Sequence, residues 1–266
     1  MRPRTLLAAI SPCPNDTFIF QPWAEGAVAS PFSISLSFHD IETLNILSQT
    51  SAPYDITKVS TACLNAIGDD YIPLASGAAF AMNGGPKLVS RRHFEIRDLR
   101  AARIAIPGRN TSAFVALCIL YGHPENIVEM PSSEVLKSVA DGRVDAGLVI
   151  HEARFVYPSY GLRQVVDIGD AYNARFRMPL PLGVIAAKRS LGDEVLDCLS
   201  HTLHRSICHA KTSSSLSSFV SSRATEMHST TIWQHINHFV TRETEMMADE
   251  EFRWIQCFLE AAKGVA

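Results

Sequence analysis

Two stretches, ILSQTSAPYDITKVS at residues 46–60 and VLKSVADGRVDAGLVIH at residues 135–151, share one pattern. Each begins as an amphipathic helix, passes through a turn, and continues as an apolar strand that carries an aspartate. Each then places a polar residue, Ser60 or His151, at the carboxyl end of the strand. Two similar α/β lobes that present strand ends to one cleft would produce this repetition. The pattern therefore predicts a two-lobed protein.

The rest of the chain up to residue 189 alternates between short β-rich runs and helical patterns, which favours an α/β fold with largely parallel sheets. We predict that residues 1–90 and 185–266 form lobe 1 and that residues 91–184 form lobe 2. KLVSRR (87–92) would cross into lobe 2, and LPLGVIAAKR (180–189) would cross back. Two crossings make a hinge, as in type II periplasmic-binding-protein folds that close around a ligand. Ligands of open α/β sheets lie at the carboxyl ends of strands.

The chain after Ser190 is predicted to be mostly helical. The serine-rich segment 213–227 could be a linker, but Leu216, Phe219 and Val220 maintain a helical stripe, so a helix is favoured. We expect the helices of this region to complete lobe 1, although they could instead form the contact of a homodimer.

The composition is that of an ordinary globular protein, with 47% hydrophobic and 19% charged residues among 266 and a formal net charge of −3. With this net charge, no excess of basic residues indicates nucleic acid or an anionic membrane as a partner. No apolar run approaches the ~20 residues of a membrane span. The apolar run Leu6–Ile10 is shorter than the about 7–15 residues of a secretory signal, so it is predicted to be the first strand of a cytoplasmic protein.

The six cysteines form no CxxC pair. Their scatter through apolar segments predicts free thiols in a reducing compartment. The same spacing argues against a zinc site, and no metal site is predicted.

The turn within SPCPNDTFIF (11–20) is stiff and polar, because two prolines restrict its backbone. Asn15 or Asp16 is predicted to cap a helix that begins near Thr17. A helix N-terminus attracts carboxylates, so the turn is a candidate ligand-binding loop. A well-capped structural turn is the alternative.

The segment GRNTSA (108–113) also forms a polar turn before a predicted helix, in the second lobe. Thr111 and Ser112 would open a helix, and their hydroxyls beside its N-terminus make a cradle for a carboxylate or a phosphate. The lysine of a nucleotide-binding P-loop is missing. Ordinary helix capping is the alternative.

Lys58 lies in a strand predicted to be buried on both faces. An unpaired buried ammonium is costly, so Lys58 should face the cleft or pair with a carboxylate. Asp40 and Glu42 are the candidate partners, unless they cap the following helix.

His151 follows the apolar run GLVI and would open the helix HEARFVY (151–157). A histidine in a cleft can transfer a proton near neutral pH, and the positive end of a helix favours its neutral form. His151 is therefore the candidate general base, with a structural histidine as the alternative. The other nine histidines lack metal-ligand spacing and are predicted to be surface or packing residues.

Six motifs occur in the order SPCPNDTFIF, DIETLN, DITKVS, IPGRNTSA, VDAGLVIHEARF and PLPLG. Through this ordered set, residues 6–192 resemble the 1,4-dihydroxy-6-naphthoate synthase family of the futalosine pathway to menaquinone. The resemblance implies a two-lobed periplasmic-binding-protein-like fold. It also implies a lyase that splits cyclic dehypoxanthinylfutalosine into 1,4-dihydroxy-6-naphthoate and dihydroxyacetone without a metal or an organic cofactor.

By the same resemblance, His151 is the proton acceptor, and the KVS and TS segments bind the substrate, a small molecule with a carboxylate and a sugar-derived ring. With the first turn included, the predicted substrate-binding residues are Asn15, Asp16, Thr17, Lys58, Val59, Ser60, Thr111 and Ser112. The chain departs from the family at Thr61, where an aromatic residue is frequent, and in the loop 78–85, which has less glycine. Both departures concern the shape and closure of the cleft.

Two other functions are compatible with these residues. A non-catalytic solute-binding protein of the same fold would tolerate substitution at position 151. The ligand-sensing domain of a regulator would need a DNA-binding or partner module, and no helix-turn-helix pattern precedes the first strand.

Overall fold

The structure, a computed structural model, describes residues 4–50, 54–224 and 228–265. The strands are β1 (Arg4–Ile10), β2 (Phe32–Phe38), β3 (Ile56–Ser60), β4 (Tyr71–Pro73), β5 (Ala79–Ala81), β6 (Lys87–Ser90), β7 (Arg103–Ile106), β8 (Asn126–Glu129), β9 (Ala146–Val149), β10 (Arg163–Asp167) and β11 (Leu180–Lys188). The helices are α1 (Pro14–Ala24), α2 (Ile41–Ser48), α3 (Leu64–Ile67), α4 (Ser112–Tyr121), α5 (Ser132–Ala140), α6 (Ala153–Val156), α7 (Ile168–Phe176), α8 (Asp193–Ala210), α9 (Ser218–Ser221), α10 (Ser229–Phe239), α11 (Arg242–Glu245) and α12 (Asp249–Lys263).

The strands form two sheets, one in each lobe. The first has the order β2-β1-β3-β11-β4 with β5 paired to β11, and the second has the order β10-β6-β9-β7-β8. β1 is parallel to β2 and β3, and β7 is parallel to β8 and β9. β11 and β6 are antiparallel to each of their neighbours. Each sheet is therefore mixed rather than largely parallel. The strand that follows each crossing, β6 in the second sheet and β11 in the first, is the one that pairs antiparallel with its neighbours.

Strand pairing bears on where the chain passes from one lobe to the other. Residues 87–90 pair within the second sheet, and residues 180–188 pair within the first. We propose that the limits of the lobes follow the sheets, so that the chain crosses before residue 87 and returns before residue 180. These proposed limits differ by a few residues from those at 90 and 185 that the sequence predicts.

Each sheet has its own hydrophobic core. In the first lobe, α1, α8 and α10 bring Phe20, Leu203 and Ile236 into the core beside the sheet, so the helices after residue 190 help to complete this lobe. In the second lobe, Leu117 of α4 packs with Leu148 of β9. Burial of each such side chain stabilises the fold by roughly 1.5–3 kcal/mol. No helix in the described ranges is both long enough and apolar enough to cross a bilayer.

Two local predictions are wrong. The segment 77–86, predicted to be a loop, contains β5, which pairs with β11 because its side chains are buried. The serine-rich segment forms only the four-residue α9. The Ser213 hydroxyl donates to the carbonyl of Ser215 at 2.9 Å, and such local bonds compete with a helix. The end of the predicted helix, residues 225–227, lies outside the described residues.

Candidate active site

A cavity lies between the two lobes and is called the interlobe cavity below. It lies beyond the carboxyl ends of β3 and β9, where ligands of α/β sheets bind. Its lining residues are Asn15, Asp16, Ile41, Lys58, Ser60, Ala79, Pro86, Thr111, Ser112, Ala113, Ile150, His151, Arg154, Leu182, Gly183, His235 and Phe239. Six of the eight predicted substrate-binding residues and the predicted base therefore share this cavity.

Asp16 and Lys58 form a buried ion pair at the cavity wall, with Lys58 Nζ 3.1 Å from Asp16 Oδ1. The same carboxylate accepts hydrogen bonds from the Ser11 hydroxyl at 2.8 Å and from the Asn15 amide at 2.9 Å. Lys58 also donates to the carbonyl of Gly77 at 3.4 Å. These bonds offset the cost of removing both charges from water.

The prediction of a carboxylate partner for Lys58 is confirmed, but the predicted partner is wrong. Asp40 caps α2, because its side chain accepts from the backbone N–H of Glu42 at 3.0 Å. Asp16 is the partner instead, because β3 lies beside β1 and α1 begins just beyond the end of β1.

Neither Asn15 nor Asp16 caps α1. The helix begins at Pro14, whose fixed φ suits the first helical position, and Cys13 occupies the cap position. The carboxylate of Asp16 is therefore available to Lys58. Thr17 does not line the cavity, because it is fully buried and its hydroxyl donates back to the carbonyl of Cys13 at 3.1 Å.

Val59 does not line the cavity either. Lys58 and Ser60 face the cavity, and alternation along the strand turns Val59 into a core with Val184. Ser60 is held by Asn45, whose amide donates to the Ser60 hydroxyl at 3.0 Å. Thr61, one of the departures from the family, is fully buried outside the cavity lining, and its hydroxyl has no hydrogen-bond partner among the described residues.

His151 has a φ of 51°, a left-handed conformation that residues other than glycine rarely adopt and that clusters at functional sites. It lies in a turn two residues before α6 rather than opening a helix at residue 151. Its Nδ1 lies 3.1 Å from Cys13 Sγ, across the boundary between the lobes. Desolvation lowers the pKa of His151 to about 4, against a smaller opposing effect of Asp16, so the imidazole is neutral at pH 7.

Thr111 and Ser112 open α4, as predicted. The Thr111 hydroxyl accepts from the N–H of Phe114 at 3.2 Å, which is a helix cap. The Ser112 hydroxyl accepts from the N–H of Ala62 at 3.1 Å, which joins the second lobe to the first. Both hydroxyls thus have structural roles while they line the cavity.

A third contact between the lobes involves the carboxylate of Glu42. It accepts from the Asn110 backbone at 3.1 Å and from the Asn110 amide at 2.7 Å. Gly108 makes this approach possible, because a Cβ there would lie 2.2 Å from Glu42 Cδ. With the Ser112 contact, this bond closes the two lobes directly against each other.

His235 of α10 is a site residue that the sequence analysis missed. Asn15 donates its amide N–H to the Asp16 carboxylate, so its Oδ1 faces His235 and accepts from Nε2 at 2.8 Å. The Nδ1 atom therefore carries the lone pair, and it is buried without a hydrogen-bond partner in the described residues. Burial first, and then the neighbouring His151 and Arg154, holds the pKa of His235 well below its usual value. The helical stripe of Ile232 and Phe239 placed His235 on a buried face, which was the available signal.

Arg154 of α6 is the second missed residue. It is only 5% exposed and lines the interlobe cavity. Its Cζ lies 4.9 Å from the centroid of the Phe155 ring and 5.3 Å from that of Phe239. Contacts with two aromatic faces partly compensate a cation that has left water.

Comparison with known proteins finds a family model, relatives and solved structures that match nearly the whole chain. A family model described as menaquinone biosynthesis matches residues 6–263. Two relatives are named 1,4-dihydroxy-6-naphthoate synthase. The one from Thermus thermophilus is 38% identical over 98% of this chain and 96% of its own, and the one from Streptomyces coelicolor is 36% identical over 98% and 94%.

Among solved structures, a protein from Archaeoglobus fulgidus superposes with a TM-score of 0.89 at 29% identity, covering 99% of this chain and 98% of its own. The alkanesulfonate-binding protein SsuA from Xanthomonas axonopodis superposes with a TM-score of 0.69 at 12% identity, covering 100% and 96%. At 12% identity, the similarity to SsuA confirms only the periplasmic-binding-protein-like fold. The family model and the two full-length relatives show more: this chain belongs to the menaquinone-biosynthesis family that contains the 1,4-dihydroxy-6-naphthoate synthases.

Proposed function

We propose that this protein is a 1,4-dihydroxy-6-naphthoate synthase that splits cyclic dehypoxanthinylfutalosine into 1,4-dihydroxy-6-naphthoate and dihydroxyacetone, with His151 as general base. The observation that carries the proposal is the placement of His151 in a cavity enclosed by both lobes. The relatives that share nearly the whole chain length support the reaction.

His151 is suited to accept a proton because it is neutral at physiological pH. Burial raises the pKa of Cys13 well above its usual value, so the thiol keeps its proton. In the base form, His151 Nδ1–H donates to Sγ at the observed 3.1 Å, and Nε2 carries the lone pair. Cys13 thus holds the imidazole in place, while its thiol can either accept from Nδ1–H or donate to Nδ1.

Removal of a substrate proton by His151 would start elimination and a retro-aldol-type loss of the three-carbon unit, and formation of an aromatic naphthalene drives the fragmentation. A positioned base contributes ~10²–10⁴-fold. Orientation in the closed cavity and donors near developing oxyanions supply the remainder. The donors in place are the hydroxyls of Ser60 and Ser112 and the ammonium of Lys58. The Thr111 hydroxyl already donates to the carbonyl of Gly108 at 2.8 Å.

His151 also borders a second cavity, which is lined by Cys13 and by the start of α5 and α6. In the proposed reaction the substrate ring would occupy the interlobe cavity, and the leaving three-carbon unit would depart through this second cavity.

The assay is direct. The purified protein is incubated with cyclic dehypoxanthinylfutalosine, and formation of the naphthoate is followed by its absorbance and by chromatography. The variant His151→Asn is run in parallel, because asparagine tolerates a left-handed backbone. Absence of product with the intact protein, together with tight binding of the compound, would favour the solute-binding alternative. Full activity of the variant would reject only the assignment of the base.

A cytoplasmic location belongs to the same proposal and is supported by six cysteines that are all free thiols. A homodimer stays a prediction, which light scattering of the purified protein can check.

A further inference from the structure

We propose that Arg154 binds the carboxylate of the substrate and so forms an anion subsite inside the interlobe cavity. This inference rests on the proposed function and extends it to the part of the substrate that does not react. The ligand class is an aromatic carboxylate whose ring lies in the cavity.

The first observation is an incomplete set of hydrogen bonds. Nε and Nη1 of Arg154 are buried, and neither has a hydrogen-bond partner among the described residues. A guanidinium has five N–H donors in a planar fork that matches a carboxylate. Buried polar groups in folded proteins nearly always have partners. A bound carboxylate is the partner that fits both the geometry and the charge.

The second observation is the balance of charge on the cavity wall. Among the lining residues, Asp16 is the only acid, and Lys58 and Arg154 are the only Lys or Arg residues. Asp16 and Lys58 neutralise each other at 3.1 Å, which leaves the charge of Arg154 uncompensated within the cavity. Asp167 and Asp170 act on Arg154 from outside the lining. An anionic ligand would restore neutrality inside the cavity.

Asp167 is itself committed elsewhere. It accepts from Lys87 Nζ at 2.5 Å and from the backbone N–H of Gly85 at 2.7 Å. A Cβ at Gly84 would contact both this carboxylate and Arg154, so the two side chains lie near each other. Asp167 nevertheless accepts no hydrogen bond from Nε or Nη1 of Arg154, and these buried donors remain for a ligand.

His235 lies next to Arg154 but does not share its role in binding the carboxylate. Both side chains pack on Phe239, with the His235 ring 4.8 Å from that ring. The His235 tautomer set by Asn15 leaves a lone pair on Nδ1, which repels a carboxylate and can accept a hydrogen bond from a hydroxyl. Of these two neighbours, Arg154 is thus the one assigned to recognition of the anion.

The subsite has components from both lobes. Arg154 belongs to α6, in the lobe of the second sheet, whereas Phe239 belongs to α10 in the first lobe. Lobe closure therefore places the guanidinium over the Phe239 ring and completes the subsite. A substrate that lacks the carboxylate would lose part of the free energy that favours closure.

The test measures binding of two stable probes, 2-naphthoate and the uncharged 2-naphthamide, by fluorescence titration. The wild-type protein should bind the acid at least about tenfold more tightly than the amide. Arg154→Gln should abolish that preference while keeping the affinity for the amide within about threefold. Arg154→Lys keeps the charge without the fork and should retain part of the preference. Arg163→Gln, at an exposed site on β10, is the control and should behave as wild type.

Two results would overturn the inference: equal affinity of the wild-type protein for acid and amide, or an unchanged preference in Arg154→Gln. If Arg154 only supports the fold, the Gln variant loses affinity for both probes equally, which also contradicts the inference. Because these titrations need no turnover, they are independent of the activity assay. A wild-type protein that prefers 2-naphthoate but forms no product from cyclic dehypoxanthinylfutalosine would refute the proposed function. It would not contradict the anion subsite at Arg154.

Discussion

Replacing His151 with asparagine should make the folded state less sensitive to acid. The pKa of His151 falls from 6.5 to about 4 because the ring is desolvated in the closed site. Since the folded pKa lies below the unfolded pKa, the unfolded chain takes up the proton first as the pH drops. The corresponding stability is fully present above pH 6.5 and is lost as the pH falls towards 4. Asparagine has no such proton and keeps the backbone conformation.

The size of the effect follows from the two pKa values. At pH 4.5, uptake by the unfolded chain favours unfolding of the wild type by about 2.5 kcal/mol relative to pH 7.5. Urea unfolding of both proteins at the two pH values gives the difference directly. The wild type should lose about 2.5 kcal/mol more than His151→Asn. Other groups, including His235, titrate in both proteins and largely cancel.

Equal losses in the two proteins would show that His151 is solvated, and the argument for a neutral, desolvated base would fail. Protonation of His151 should also appear in the pH dependence of catalysis. The value of kcat/KM should stay level down to about pH 5 and decline only near pH 4, in the pH range where circular dichroism shows the protein folded. An acid limb near pH 6.5 would contradict the assignment.

Three further substitutions test the closed site. Gly108→Ala should raise KM at least about tenfold, because its Cβ would meet Glu42 at 2.2 Å and break the contact between the lobes; steady-state kinetics measures it. Asp16→Ala should lower the free energy of unfolding by about 3–5 kcal/mol, since Lys58 becomes a buried charge without a partner; urea unfolding measures it. Cys13→Ala should lower kcat by about tenfold with little change in KM, because the thiol no longer holds the His151 ring.

Each of these substitutions has a control. Gly122→Ala also places a Cβ at a positive φ but meets nothing within 4 Å, so an equal rise in KM would contradict the steric argument. The double variant Asp16→Leu with Lys58→Met removes both charges and should recover most of the lost stability. Cys13→Ser keeps a polar partner for His151 and should restore part of kcat. A serine variant as slow as the alanine variant would mean that the thiol acts in another way.

The repeated helix–turn–strand pattern was sufficient to predict the cleft and the two strands that end in it. Ser60 and His151 each follow an apolar strand, and the polar end of such a strand is visible in the sequence. The two strands belong to different sheets, one in each lobe, and their carboxyl ends meet at the interlobe cavity, so the prediction follows from local pattern and topology together.

The contacts that complete the site could not be predicted, because they join distant parts of the chain. Asn15 and His235 are 220 residues apart, and the tautomer of His235 depends on that one bond. The choice of Asp16 over Asp40 as the partner of Lys58 depends on strand order, which no local pattern encodes. The unpaired donors of Arg154 become visible only when every neighbouring side chain is in place.

The reversed strand in each sheet has a consequence for synthesis on the ribosome. Among the described residues β4 and β5 pair with β11 alone, and β3 needs β11 to cover its second edge. β11 follows the whole second lobe in the chain. The second lobe is continuous, so it can fold while the first still exposes unpaired strand edges. Such edges are prone to aggregation, and the nascent chain is therefore most in need of a chaperone just before residue 188 leaves the exit tunnel.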